Sequence, residues 1–237
     1  MDTCPTCYKI RPLCVCDLVQ PQDNCVHVVI LQHPQEPDKD LGSARLANLI
    51  LKNSTLKTAL SIANLKKAVG VDVNPNEWIV LFLGSKYKFR ELARIEDESD
   101  LYIFDRKGDI ADVEADQIKG IIAIDGTWAQ AKTLWWRNPW LLKVRRAVLN
   151  PRALSKYGNL RKEPRKECLS TIESIAYTLE ILGERPQTSA ALLQGFDGLI
   201  GKYRDYRKVQ RQTAKSVAIA SKAAADADEP STHSKPD

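Results

Sequence analysis

Four short apolar runs, at residues 26–31, 78–83, 101–104 and 121–124, constrain this chain more than any other feature, because none of them alternates. A strand with one wet face alternates apolar and polar residues. Short, β-branched runs without alternation are strands covered on both faces, which calls for a mostly parallel sheet with helices on either side. A weaker fifth run covers 147–149. Helical spacing fills the gaps: 43–51 places Leu46, Leu49 and Ile50 on one face, and 85–93 leaves Lys86, Lys88 and Arg90 outward. The clearest helix is 168–182, where Ile172, Ile175, Ala176, Leu179 and Leu182 recur and Gly183 with Pro186 stops it. A last helical stretch, about 188–217, begins apolar (Leu192, Leu193, Phe196, Leu199, Ile200) and turns basic from Lys202 through Arg204, Arg207, Lys208 and Arg211 to Lys215. The fold class is α/β.

The run at 121–124 ends abruptly in Asp125, and a helix begins near Thr127. In open α/β sheets ligands bind in the crevice outside the carboxyl ends of the strands, and Gly126 lets the backbone turn there. Two readings of Asp125 stand side by side, an ordinary helix cap and an active-site carboxylate. His33 and Glu36 follow the run at 26–31 and so reach the same edge, with Pro34 fixing the loop. A hydrogen-bonded loop brace is the plain reading of His33. His27 is expected to be structural. Ser170 and Glu173 have the spacing of a capping box, which explains both without a function. No G-x-G-x-x-G and no Walker loop is present, which argues against dehydrogenases and P-loop enzymes.

With 237 residues and 43% apolar content, the chain can bury one sizeable core plus an appendage. No membrane span and no signal peptide is visible, so a soluble, cytoplasmic protein is expected. Four of the 6 cysteines, Cys4, Cys7, Cys14 and Cys16, fall in the first 16 residues. That spacing suits a closed tetrahedral Zn²⁺ site, with an iron–sulfur cluster or a redox pair as alternatives. Lys9 and Arg11 in the knuckle loop are candidates for touching phosphate. Cys25 and Cys168, without partners, read as buried small hydrophobes. Between Arg137 and Lys166 stand ten basic residues against one acid, Glu163. Such density points to a polyanion, and Arg152, Lys156, Arg161, Lys162, Arg165 and Lys166 are the candidate RNA contacts. Trp135, Trp136 and Trp140 are candidates for stacking on an unpaired base, although at most one of the adjacent pair can face the core. Trp128 reads as a core anchor. The expected organisation is a zinc knuckle at 1–20, an α/β domain at 21–217 and a disordered tail at 218–237.

The motifs also resemble a known family. Asp125, Thr127 and Trp128 reproduce the D-x-T-W signature of DTW-domain proteins. The cysteine cluster, His33-Pro34-Gln35-Glu36 (similar to H-P-x-E) and Ser170-Thr171-Ile172-Glu173 (similar to S-T-x-E-A) follow in the family's order. Ser174 stands where the family has Ala, and Ser43 where it has Thr. The resemblance implies transfer of the 3-amino-3-carboxypropyl group of S-adenosylmethionine to N3 of a tRNA uridine in the variable loop. It implies catalytic roles for Asp125, Thr127 and Trp128, and a donor pocket of His33, Glu36, Gly126, Ser170, Thr171 and Glu173. It further implies kinship with the SPOUT methyltransferases, including a trefoil knot, and a structural Zn²⁺. No obligate protein partner is expected. The alternatives are a ribosomal-RNA aminocarboxypropyl- or methyltransferase, or a non-catalytic zinc-containing RNA-binding adaptor.

Overall fold

The computed structural model describes residues 2–81, 99–150, 155–160 and 169–227. Among them are six strands, β1 (His27–Gln32), β2 (Ser54–Thr58), β3 (Trp78–Leu81), β4 (Leu101–Phe104), β5 (Gly120–Asp125) and β6 (Arg145–Leu149). Five α-helices accompany them: α1 (Ala44–Ile50), α2 (Leu65–Val69), α3 (Trp128–Arg137), α4 (Thr171–Ile181) and α5 (Pro186–Ala227). The strands make one sheet in the order β2-β1-β5-β3-β6-β4. All pairings are parallel except β4 on β6, which is antiparallel at the sheet edge.

The absence of alternation has the expected cause. Val28 and Ile30 of β1 and Ile121 and Ala123 of β5 point into a core shared with α1, α4 and α5. Their sequence neighbours Val29, Leu31 and Ile122 point into a second core, with Trp78, Trp140, Leu141 and the buried face of α2. Each fully buried Val or Ile contributes roughly 1.5–3 kcal/mol relative to exposure, so the central strands are fixed from both sides. The register sets Gln32 of β1 opposite Asp125 of β5, so these two strands end level.

Several elements differ from the sequence reading. β2 was not expected: Ser54–Thr58 is an edge strand, half-buried and polar, and carries no apolar run to mark it. Helix α4 starts at Thr171 rather than 168, because Ser170 caps it. Helix α5 continues to Ala227, so residues 218–227 are helical rather than disordered; the Ala-rich segment extends the helix by propensity alone. Cys25 is exposed, not buried. Its amide and that of Val26 are both held by Glu184 Oε1, and its carbonyl accepts from Asn53 Nδ2 at 3.1 Å, which turns the side chain outward just before β1. The expected helix at 85–93 and Cys168 lie outside the described residues. No helix among the described residues is long and apolar enough to cross a membrane.

One close approach governs the sheet centre. A Cβ on Gly120 would stand 2.5 Å from the indole of Trp78, the residue paired with it on β3. Gly120→Ala is therefore expected to destabilise the fold by about 1–3 kcal/mol, as overpacking of a dense core does. Denaturant unfolding monitored by tryptophan fluorescence checks this.

Candidate active site and metal centre

The carboxyl edge of β1 and β5 gathers an unusual set of buried polar side chains. Lys9, Gln32, His33, Glu36, Ser43, Asp125 and Ser170 are all less than a tenth exposed. Buried polar groups persist where they are bonded or used.

Asp125 stands at the centre, only 6% exposed. Its Oδ2 accepts from Gln32 Nε2 at 3.0 Å, and its Oδ1 accepts from Thr171 Oγ1 at 2.6 Å. Its carbonyl accepts the His33 amide at 3.0 Å. The cap of α3 is Thr127, not Asp125: Thr127 Oγ1 accepts from Gln130 N, and Gln130 Oε1 accepts from Thr127 N at 2.6 Å. Asp125 therefore has no capping duty, and the plain reading of its position falls away. Gly126 is needed for space, since a Cβ there would meet Gln130 Cβ at 2.9 Å and His33 Cβ at 3.5 Å. Thr127 is exposed and Trp128 half-buried in the first turn of α3, so Trp128 is not the core anchor that the sequence suggested. A side chain at the first helical position, on a helix whose buried residue is Leu134, sits too near the edge for that.

The loop after β1 is fixed from several directions. His33 Nδ1 accepts the Gln35 amide at 3.2 Å, the loop-brace role expected of a lone histidine. Gln130 Nε2 donates to Gln35 Oε1 at 3.3 Å, linking this loop to α3. Tyr157 Oη donates to the Leu41 carbonyl at 2.8 Å. Lys9 does not reach solvent phosphate. Its Nζ is buried and donates to the carbonyls of Lys39 at 2.5 Å and Gly42 at 2.8 Å. Burial lowers its pKa to about 8, opposed by the fields of Asp40, Cys7, Asp125 and Glu36. Lys9 is thus the cation that faces the two buried carboxylates of this edge. Its place two residues after Cys7 made it look like part of a solvated basic loop.

Ser170 and Glu173 form the predicted capping box, but Glu173 does more. Wholly buried, its carboxylate accepts from Ser170 N and Ser170 Oγ, from Ser155 Oγ at 2.8 Å and from Lys156 N at 2.7 Å. It brackets the turn at 155–160 against the start of α4. Lys156 Nζ pairs with Asp197 at 2.5 Å. Arg145 and Arg146 are strand residues whose guanidinium groups hold the carbonyls of Asn76 and Asp105. Trp140 is buried, with Nε1 donating to the Ile62 carbonyl at 2.8 Å, so it is no stacking platform. Of the adjacent pair, Trp135 packs on the second core and Trp136 is 75% exposed. Arg152, Arg161, Lys162, Arg165 and Lys166 lie outside the described residues.

The four N-terminal cysteines converge. Their sulfurs all lie within 4.8 Å of one another, with Cys4–Cys16 and Cys7–Cys14 each at 3.7 Å. A tetrahedron of thiolates about 2.3 Å from a central Zn²⁺ has edges of about 3.8 Å, so the spacing fits an ion and is far too long for disulfides. Backbone N–H groups of Cys7 and Thr6 lower the Cys4 thiol to about 6, while burial pushes Cys16 up. One sulfur is thus ready to ionise and another resists, a conflict that a dication resolves by displacing the protons. Tyr8, at a φ of 59°, turns the chain between the two pairs, and Arg45 lies 3.7 Å over its ring. The knuckle is not a free appendage. Cys4, Cys7 and Val15 belong to the main core, and Lys202 of α5 holds the Cys14 carbonyl and Asp17.

The family model described as "DTW domain" matches residues 1–204. A Drosophila melanogaster protein named tRNA-uridine aminocarboxypropyltransferase 2 is 26% identical over 220 residues, covering 89% of this chain and 78% of its own length. Proteins of the same name from Macaca fascicularis and Mus musculus are 25% and 26% identical over 204 residues, covering 83% of this chain. Only 61% of each of these two is spanned by the match. No solved structure matches the chain.

Two outcomes test this geometry. Purified protein should carry one zinc per chain by elemental analysis, and Cys7→Ser should lose it together with several degrees of thermal stability. Lys9→Met should take the ammonium from the carbonyls of Gly42 and Lys39, leaving the latter only the Gly42 amide, and cost about 1–3 kcal/mol. Hydrogen exchange should then quicken at the amides of residues 36–42 and stay slow in β1 and β5.

Proposed function

The chain belongs to the DTW-domain family, and on that premise we propose that it transfers the 3-amino-3-carboxypropyl group of S-adenosylmethionine to N3 of a uridine in the variable loop of tRNA. The observation that carries this reading is Asp125: a buried carboxylate at the carboxyl edge of the sheet, released from helix capping and held between an amide and a hydroxyl donor.

The donor binds against this edge. Its sulfonium supplies a leaving group that departs as the neutral thioether of methylthioadenosine. The residues present suit such a molecule: Asp125 and Glu36 provide buried negative charge for the sulfonium and α-amino group, and the buried Lys9 lies within the field of both. Gly126 keeps the backbone bare where the strand turns into α3. Thr171 and Gln32 fix both carboxylate oxygens of Asp125, so it meets the substrate in one orientation. The uracil N3 forms a bond to the carbon attached to sulfur, the carbon–sulfur bond breaks with its electron pair going to sulfur, and the N3 proton passes to Asp125. General-base assistance of this kind is worth roughly 10²–10⁴ in rate. Trp128 is the candidate for bordering the uridine. Ser170 and Glu173 position Thr171 rather than touch the donor, and Thr127 starts α3 beside Asp125. Zinc in the knuckle is structural, with a closed ligand set. Arg152, Arg161, Lys162, Arg165 and Lys166 are the candidate tRNA contacts beyond the described residues. A SPOUT-like knotted path completes the reading; the mostly parallel sheet is compatible with it.

Asp125→Asn keeps the shape while removing the base: its oxygen can still accept from Gln32 Nε2, and its amide donates to Thr171 Oγ1 where the carboxylate accepted. It should fold and bind zinc like the parent and lose 10²-fold or more of transfer rate, read by mass spectrometry of tRNA nucleosides. Calorimetry with S-adenosylmethionine should show one site per chain. Absence of donor binding in the parent protein would leave an RNA-binding adaptor instead.

A further inference from the structure

Helix α5 carries a feature that the transferase reading does not require. Its first half is buried: Leu192, Phe196, Leu199 and Ile200 pack on α1 and α4. Beyond Lys202 the helix leaves the core. There Arg204, Arg207, Lys208, Arg211 and Lys215 fall within an arc of about 100° at 3.6 residues per turn, which places all five on one helical face. Asp205 lies about a quarter-turn away from this face. None of the five has an ion-pair partner among the described residues. Stacking like charges on one face costs stability unless something anionic answers them.

The five also line a cleft of about 520 Å³ together with Tyr203. Its other wall is Leu160, from the turn that Glu173 brackets through Ser155 and Lys156. The start of α4 thus grips the cleft wall with Glu173 and Asp125 with Thr171, two residues apart within its first turn. Whatever lies in the cleft is held in fixed relation to the candidate catalytic carboxylate.

We infer that this cleft is a phosphate-tracking site that grips the backbone of the RNA substrate away from the nucleotide being modified. The stripe rises about 16 Å from Arg204 to Lys215, at 1.5 Å per residue, long enough to follow several successive phosphates of one strand. Among the described residues the cleft lining holds one aromatic side chain, Tyr203, with the Arg207 guanidinium 5.9 Å from its ring centre. A run of cations with one such ring positions an RNA through its phosphates and reads no sequence. Specificity then comes from the shape that lets one RNA fill the cleft and reach Asp125 together. This inference rests on RNA being the substrate, but it does not require that the transferred group be aminocarboxypropyl.

The test uses the full chain, zinc-loaded, with bulk tRNA as the probe. Neutralising four cations together (Arg204→Gln, Arg207→Gln, Arg211→Gln, Lys215→Gln) should weaken tRNA binding at least tenfold near 0.1 M salt. The slope of log affinity against log salt should fall by about 3, since each neutralised phosphate contributes about 0.7–0.9. A control variant with four exposed lysines elsewhere replaced (Lys52, Lys66, Lys67 and Lys119, each by Gln) should keep both affinity and slope. An unchanged slope in the stripe variant, or an equal loss in the control, overturns the inference. A parent protein that binds tRNA through the stripe yet transfers nothing would uphold the cleft and defeat the proposed reaction, so the two failures are separable.

Discussion

A carboxylate that no water reaches must have every oxygen answered from within the protein, and Glu173 is that group here. Its partners come from two places, the cap of α4 and the turn at 155–160. Fixing one fixes the other. Because Thr171 is next to the capped residue, the same constraint sets where its hydroxyl meets Asp125. Because the turn ends at Leu160, it also sets one wall of the basic cleft. Sheet edge, helix start and cleft are consequences of satisfying one buried charge.

Much of this was legible in the chain. β1, β3, β4 and β5 announce themselves because strands covered on both faces cannot alternate, and the capping box of α4 is spelled out by Ser170 with Glu173, whereas that of α3, Thr127 with Gln130, was masked by Asp125 as the more obvious cap. β2 was not, since an edge strand such as Ser54–Thr58 pairs through its backbone and leaves its side chains free to be polar. Nor does a four-residue run show its direction, so the antiparallel docking of β4 is settled only by its partner β6. The motif residues of the site came together as their positions at strand ends required. What stayed hidden were second roles: Glu173 as a bracket, and Lys9 as the buried counter-charge. A lysine among basic neighbours looks solvated until its burial is known.

The cysteine cluster and the candidate active site are less separate than their distance in sequence suggests. Cys7 carries the chain directly to Lys9, whose ammonium ties together the loop holding Glu36. The same loop is held by Tyr157, 116 residues further along the chain. The edge that would receive a sulfonium is therefore shaped by groups drawn from the first ten residues and from the turn near 157.

That arrangement bears on how the protein is made. The knuckle packs its inner residues on α5, and Lys202 reaches back to the Cys14 carbonyl and Asp17. The knuckle thus finds its docking surface only after α5 has been synthesised, 188 residues later at the contact of Cys14 with Lys202. Until then its four thiols lack that cover, and capture of an ion at that stage would give the nascent knuckle a stable shape while it waits for its partner helix.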